Sequence, residues 1–104
     1  MSILRELAAT IAKRSKADPN SSWTAKLLSE GPEKCAEKFG EEAIEAVIEA
    51  VKGDQKKLTF EAADVLYHLL VMLESRGVAL EEVLMELSRR QGTSGISEKT
   101  SRGS

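Results

Sequence analysis

Apolar residues recur along most of the chain at intervals of three and four positions, which is the spacing of one face of an α-helix. Ile3, Leu7 and Ile11 begin the first such stripe. Glycine, proline and small polar residues interrupt the pattern, and these residue types favour turns and helix caps. The interruptions divide the chain into five predicted helices, over residues 3–12, 23–28, 32–52, 55–76 and 80–90.

The fourth predicted helix is apolar on nearly all sides over residues 65–73, which is typical of a helix in the middle of a bundle. Only Gly53 and Asp54 separate it from the third helix, so we expect the two to form an antiparallel hairpin. The predicted fold is therefore all-α, a bundle of about five helices with a central antiparallel helical hairpin. Because a chain of 104 residues has little surface to cover so apolar a helix, we also expect a homodimer that buries residues 65–73.

Residues 93–104 are mainly Gly, Ser, Thr and charged residues, and Ile96 is the one apolar residue among them. A segment of this composition buries too little apolar surface to offset the entropy lost on ordering. The predicted organisation is a helical domain over residues 1–92 followed by a flexible tail over residues 93–104.

Composition excludes several classes of protein. The 15 basic and 17 acidic side chains give a net charge of −2, and no strongly basic stripe points to a nucleic-acid partner. A single cysteine, Cys35, excludes a disulfide scaffold and a cysteine-based zinc site. No apolar run approaches the roughly 20 residues that cross a bilayer, and the first residues lack a signal-peptide pattern. We therefore expect a cytoplasmic protein that does not bind membranes.

Acidic side chains are paired on both helices of the predicted hairpin. Glu42 and Glu45 are three positions apart on the third helix, and Glu61 and Asp64 have the same spacing on the fourth. Residues three apart lie on one helix face. Glu45 precedes the turn by about eight residues and Glu61 follows it by about eight, so the hairpin is expected to bring the two pairs level.

Carboxylates that converge without cations repel one another and raise one another's pKa. A hard cation with oxygen ligands removes this conflict, and Mg²⁺ is the usual one where phosphates complete its shell. Two other interpretations stay open at this point. The glutamates of the third helix could form a solvated face, and a di-iron site would need Glu-x-x-His pairs that the single histidine, His68, does not supply.

The acidic spacing resembles a known signature. Glu41-Glu42-x-x-Glu45 followed by Glu61-x-x-Asp64 is similar to the motif of the MazG-type all-α nucleotide pyrophosphohydrolases. Longer segments resemble one family within that group more closely, the phosphoribosyl-ATP pyrophosphohydrolases of histidine biosynthesis. These segments are WTAKLL at 23–28, KFGEEA at 38–43, EAADVLYHLL at 61–70, RGV at 76–78, and the tail residues 94–102.

The resemblance implies a MazG-like fold, a nucleotide substrate and a Mg²⁺ cofactor. It implies hydrolysis of 1-(5-phosphoribosyl)-ATP to 1-(5-phosphoribosyl)-AMP and pyrophosphate. Glu41 is the candidate for orienting or deprotonating the attacking water. By the same resemblance, the Mg²⁺ ligands are Glu42, Glu45, Glu61 and Asp64.

Several cations are candidates for binding substrate phosphates. Lys38 lies one helical turn before Glu42, where it could contact a phosphate or pair with a neighbouring glutamate. Lys34 lies one turn further back, and Arg89 closes the fifth helix, where a cation also stabilises the helix dipole. The resemblance adds Lys99 and Arg102 in the tail, which we expect to close over the substrate.

Two alternative functions share these sequence features. A housecleaning nucleoside-triphosphate pyrophosphohydrolase of the same superfamily would use the same carboxylates. A non-catalytic helical dimerisation module would carry them as a solvated surface. The acidic motif does not choose among the three, and the flanking segments favour phosphoribosyl-ATP.

Overall fold

Five α-helices make up the computed structural model of the chain, which describes residues 2–92. No strand occurs within that range. The all-α prediction is confirmed, and each predicted helix ends within two residues of its observed bounds. The helices are α1 (Ile3–Arg14), α2 (Trp23–Ser29), α3 (Pro32–Lys52), α4 (Gln55–Ser75) and α5 (Leu80–Gln91).

Short polar residues begin the helices because their side chains accept the free backbone N–H groups of the first turn. The Ser22 hydroxyl accepts from the backbone N–H of Ala25 at 3.2 Å. The Asp54 carboxylate accepts from the N–H of Lys57 at 3.0 Å. Between α3 and α4, Gly53 adopts a left-handed conformation with φ 78°, which glycine reaches without steric cost. The two-residue link therefore reverses the chain, as predicted.

The core lies where α4 meets α1, α2 and α3. Its buried side chains are Ile11, Leu27, Cys35, Leu70 and Val71. The Cys35 thiol donates to the carbonyl of Leu27 at 3.3 Å, and burial raises the pKa of this thiol. A thiol placed this way is a small apolar core group.

The helix expected to need a partner subunit is already partly covered within one chain. Leu70 and Val71 are buried by α1, α2 and α3, so the protomer itself covers much of residues 65–73. Four of the ten large apolar side chains that are exposed within residues 2–92 lie on one face of α3. This α3 apolar stripe consists of Ile44, Val47, Ile48 and Val51, which are 48–83% exposed.

The fifth helix is attached to the bundle mainly at its beginning. Leu80 packs against the core, and Arg5 Nε donates to Glu81 Oε1 at 2.6 Å. Further along, Met85 and Leu87 are exposed. Within residues 2–92, no helix is both long enough and apolar enough to cross a membrane.

Candidate metal centre

The hairpin of α3 and α4 brings acidic side chains together at mid-length. Glu42 and Glu45 project from α3 and Glu61 from α4. One carboxylate oxygen of each residue lies within 4.8 Å of the others. Among residues 2–92 this is the group of side chains that could hold a metal ion, and three of the four predicted ligands belong to it.

Asp64, the fourth predicted ligand, lies beside this group rather than within its 4.8 Å limit. Its negative charge is close enough to raise the pKa of both Glu42 and Glu61. Asp64 thus contributes to the same acidic field from the next turn of α4.

The pKa of Glu61 is raised to about 7. The main cause is a hydrogen bond between its carboxyl group and that of Glu45, followed by burial and by the charges of Glu45, Asp64 and Glu42. The pKa of Glu42 is also raised, chiefly by burial and then by the charge of Glu45. The surrounding carboxylates therefore favour the protonated form of Glu61 when no cation is present.

A buried carboxylate oxygen supports a cation in the group. Glu61 Oε2 is buried and has no hydrogen-bond partner, and the same holds for Glu49 Oε1, outside the group on α3. A buried acceptor without a partner is costly, and a divalent cation with oxygen ligands would satisfy it. The residues present therefore fit a hard divalent cation with oxygen ligands.

Glu49 lies next to the acidic group, although the sequence interpretation did not include it among the candidate ligands. Its side chain is only 16% exposed, and Oε1 lies 3.9 Å from Lys52 Nζ. The signal that could have found it is its spacing, because positions 42, 45 and 49 continue a single stripe along α3.

The candidate water-activating residue forms an ion pair at the edge of the acidic group. Lys38 Nζ lies 3.5 Å from Glu41 Oε2, and the Glu41 side chain is 52% exposed. One of the two roles expected for Lys38, pairing with a neighbouring glutamate, is thus observed. The tail candidates Lys99 and Arg102 lie outside the described residues.

The other predicted phosphate ligands are held by carboxylates on their own helices. Lys34 Nζ lies 3.4 Å from Glu37 Oε1. Arg89 and Arg90 both bind Glu86, at 2.7 Å and 2.9 Å. These two arginines lower the pKa of Glu86 to about 2. The structure does not bring Lys34 or Arg89 into the acidic group.

His68 lies one helical turn after Asp64 and is 7% exposed. Burial lowers its pKa, so the imidazole is neutral near pH 7. Its Nδ1 has no hydrogen-bond partner, and its ring stands edge-on to Tyr67 at a centroid distance of 5.0 Å. These surroundings are those of a histidine packed in the core beside the acidic group.

Comparison with known proteins identifies the group to which this site belongs. The sequence profile of the family described as "Phosphoribosyl-ATP pyrophosphohydrolase" matches residues 4–91. The chain belongs to the phosphoribosyl-ATP pyrophosphohydrolase family. This membership confirms the resemblance drawn from the acidic motif and its flanking segments.

Three relatives within this family match nearly the whole chain, and each is named phosphoribosyl-ATP pyrophosphatase. The protein of Dinoroseobacter shibae is 76% identical over 98% of this chain and 100% of its own length. That of Ruegeria pomeroyi is 72% identical over 98% of this chain and 97% of its own. One from Cereibacter sphaeroides is 70% identical over 99% and 100%.

Proposed function

We propose that this chain hydrolyses 1-(5-phosphoribosyl)-ATP to 1-(5-phosphoribosyl)-AMP and pyrophosphate, an early step of L-histidine biosynthesis. The family match over residues 4–91 carries this proposal. The convergence of Glu42, Glu45 and Glu61 supports it, because cleavage of a phosphoanhydride needs a centre that neutralises phosphate charge.

Glu42, Glu45, Glu61 and Asp64 would hold Mg²⁺, and the buried free oxygen of Glu61 supports this assignment. When bound, the ion would neutralise phosphate charge and polarise the phosphoryl group. Glu61, whose pKa is raised to about 7, must lose its proton first, because metal ligands bind deprotonated.

Glu41 is our candidate for the residue that orients and deprotonates water. Its side chain is 52% exposed at the edge of the acidic group, so it could reach a water molecule there. Water adds its oxygen to phosphorus, its proton passes to Glu41, and the α–β P–O bond breaks to release pyrophosphate. Lys38, 3.5 Å from Glu41, would contact a phosphate oxygen when substrate is bound.

We further propose that the active form is a homodimer. The α3 apolar stripe supports it, because Ile44, Val47, Ile48 and Val51 are spaced on one helix face and exposed together. We therefore propose the interface on α3 rather than over residues 65–73.

Release of pyrophosphate from phosphoribosyl-ATP, dUTP and dCTP, each with and without Mg²⁺, tests the proposed function. We expect Mg²⁺-dependent turnover of phosphoribosyl-ATP well above that of the other nucleotides. Equal or faster turnover of dUTP or dCTP would identify a housecleaning pyrophosphohydrolase, and no turnover would identify a binding module. Glu42→Gln and Asp64→Asn should each abolish activity while the helical circular dichroism stays unchanged.

A further inference from the structure

A basic cleft lies away from the acidic group, between the end of α1 and the start of α2. Its volume is about 680 Å³, and no acidic side chain lines it. The cleft is lined chiefly by Thr10, Lys13, Arg14, Lys16, Ser21 and Ser22.

The three cations of this basic cleft have no carboxylate partner within residues 2–92. Lys34, Lys38 and Arg5, by contrast, each lie against a glutamate. Lys13 and Arg14 occupy the last turn of α1, where cations oppose the helix dipole. Lys16 lies beyond the end of that helix, so the dipole does not account for it. Three unpaired positive charges therefore face one concave surface.

A hydroxyl group adds a further donor at the rim. The Ser22 oxygen accepts from the N–H of Ala25, which leaves its own O–H free to donate. The hydroxyls of Thr10 and Ser21 are already committed, because they donate to the carbonyls of Glu6 and Asp18. Cations combined with a free hydroxyl are suited to a phosphate monoester, which offers several charged acceptor oxygens.

Contacts between α2 and α4 connect the basic cleft to the acidic group. Ser22 is two residues before Thr24, whose Oγ1 lies 2.6 Å from the hydroxyl oxygen of Tyr67. Tyr67 in turn lies three positions after Asp64 on α4. Standard residue spacings place Ser22 within roughly 25 Å of Asp64 along this path. One extended substrate with phosphates at both ends can bridge the two regions.

We propose that the basic cleft binds the 5′-phosphate of the substrate's phosphoribosyl group. This inference rests on the proposed function, which supplies a substrate with a second phosphate. That phosphate is present in phosphoribosyl-ATP and absent from ATP. The basic cleft is therefore a specificity determinant and takes no part in the bond cleavage.

A charge-matched pair of variants tests the assignment. Lys13→Gln/Arg14→Gln removes two cations from the basic cleft, and Lys56→Gln/Arg76→Gln removes two exposed cations elsewhere. For the cleft variant we expect KM for phosphoribosyl-ATP to rise about tenfold or more, because charge-assisted hydrogen bonds are lost. Its kcat, and the inhibition constant of ATP, should stay within twofold of the wild-type values, as should every constant of the control variant.

An unchanged KM in the cleft variant, or an equal rise in both variants, overturns the assignment. Ribose 5-phosphate, titrated into the wild-type and cleft-variant proteins by calorimetry, tests the basic cleft even where no substrate is hydrolysed. Binding that the cleft variant loses supports a monoester site, and a lack of binding to the wild type overturns it. Inorganic phosphate that binds as tightly as ribose 5-phosphate overturns the assignment to the substrate, because it identifies a site for free phosphate.

Discussion

The hydroxyl groups of Thr24 and Tyr67 lie 2.6 Å apart and join α2 to the central helix α4. Thr24 is buried, so water has little access to this contact. Removing one of the two hydroxyls would therefore leave the other without a hydrogen-bond partner. This contact holds α2 beside the helix that carries Glu61 and Asp64, and with α2 it positions one edge of the basic cleft.

Removing either hydroxyl should destabilise the fold. We expect Thr24→Val and Tyr67→Phe each to lower the free energy of unfolding by about 1–2 kcal/mol, because each leaves a hydrogen-bonding group unpaired. The double variant should lose less than the sum of the two. Urea denaturation followed by circular dichroism measures this. As a control, Thr59→Val removes an exposed hydroxyl that bonds only within its own helix. Additive losses in the double variant would contradict the coupling.

The stability of the metal-free protein should fall as the pH rises towards neutrality. Glu61 has a pKa of about 7 in the fold, against an ordinary value of 4.5. Between these values the folded state holds a proton that the unfolded state has lost, so raising the pH favours unfolding. We expect Tm to fall across this window in EDTA, and Glu61→Gln to weaken the fall. A wild-type Tm that rises across the window would contradict this origin.

Magnesium should reverse that trend. Deprotonated carboxylates bind the ion, so its stabilising effect should grow as the pH rises through about 7. Thermal melts at fixed Mg²⁺ concentration across the same pH range measure this. Stabilisation by Mg²⁺ that is independent of pH would show that the ion does not compete with the Glu61 proton.

Glu49 should contribute to cation binding. Its buried Oε1 has no hydrogen-bond partner, and Glu49→Gln would replace a charged acceptor with a neutral amide. We expect the Kd for Mg²⁺ to rise about tenfold, as for a residue that supports a metal site. Calorimetric titration of the free protein measures this without catalysis. As a control, Glu33→Gln changes another glutamate of α3 and should leave the Kd for Mg²⁺ unchanged. If Glu49→Gln also left the Kd unchanged, Glu49 would have no role in cation binding.

The α3 apolar stripe should mediate self-association. Val47→Asp introduces a charge in the middle of the stripe, so the dimer should dissociate because burying an unpaired carboxylate is costly. Sedimentation velocity at micromolar concentration measures the mass. Met85→Asp, at an exposed apolar position on α5, should leave the dimer intact. A wild-type protein that is monomeric at that concentration would exclude the dimer.

The tail should contribute to substrate binding. We expect deletion of residues 93–104 to lower kcat/KM for phosphoribosyl-ATP, because it removes Lys99 and Arg102, the two cations that the family resemblance assigns to substrate binding. Lys99→Gln/Arg102→Gln should reproduce most of this loss while keeping the length of the tail. Steady-state kinetics measure both, and an unchanged kcat/KM after deletion would exclude a role for the tail.

Local sequence signals were sufficient to predict the helices and the hairpin. Asp54 caps α4 and Gly53 ends α3, and both effects depend on residues only a few positions away. The sequence also predicted that Glu45 and Glu61 lie at the same height in the hairpin, because a two-residue link leaves two antiparallel helices little freedom of register.

Long-range packing decided what the sequence left open. The burial of Glu49 depends on the distance between α3 and α4. The spacing of residues along α3 alone does not predict that distance. The apolar pattern of residues 80–87 predicted α5 correctly, yet Met85 and Leu87 are exposed because the helix packs against the bundle mainly at Leu80. Helical periodicity identifies a face without identifying what covers it.

The two-residue link at Gly53-Asp54 makes the acidic centre sensitive to changes in chain length. Each residue inserted into α3 between Glu45 and Gly53 would turn the preceding carboxylates about 100° around the helix axis, away from Glu61. Insertions and deletions over residues 45–61 should therefore abolish cation binding even where both helices still form. The loop before α2 carries no such constraint on the acidic centre, so natural variation in the length of these proteins should accumulate there rather than in the hairpin.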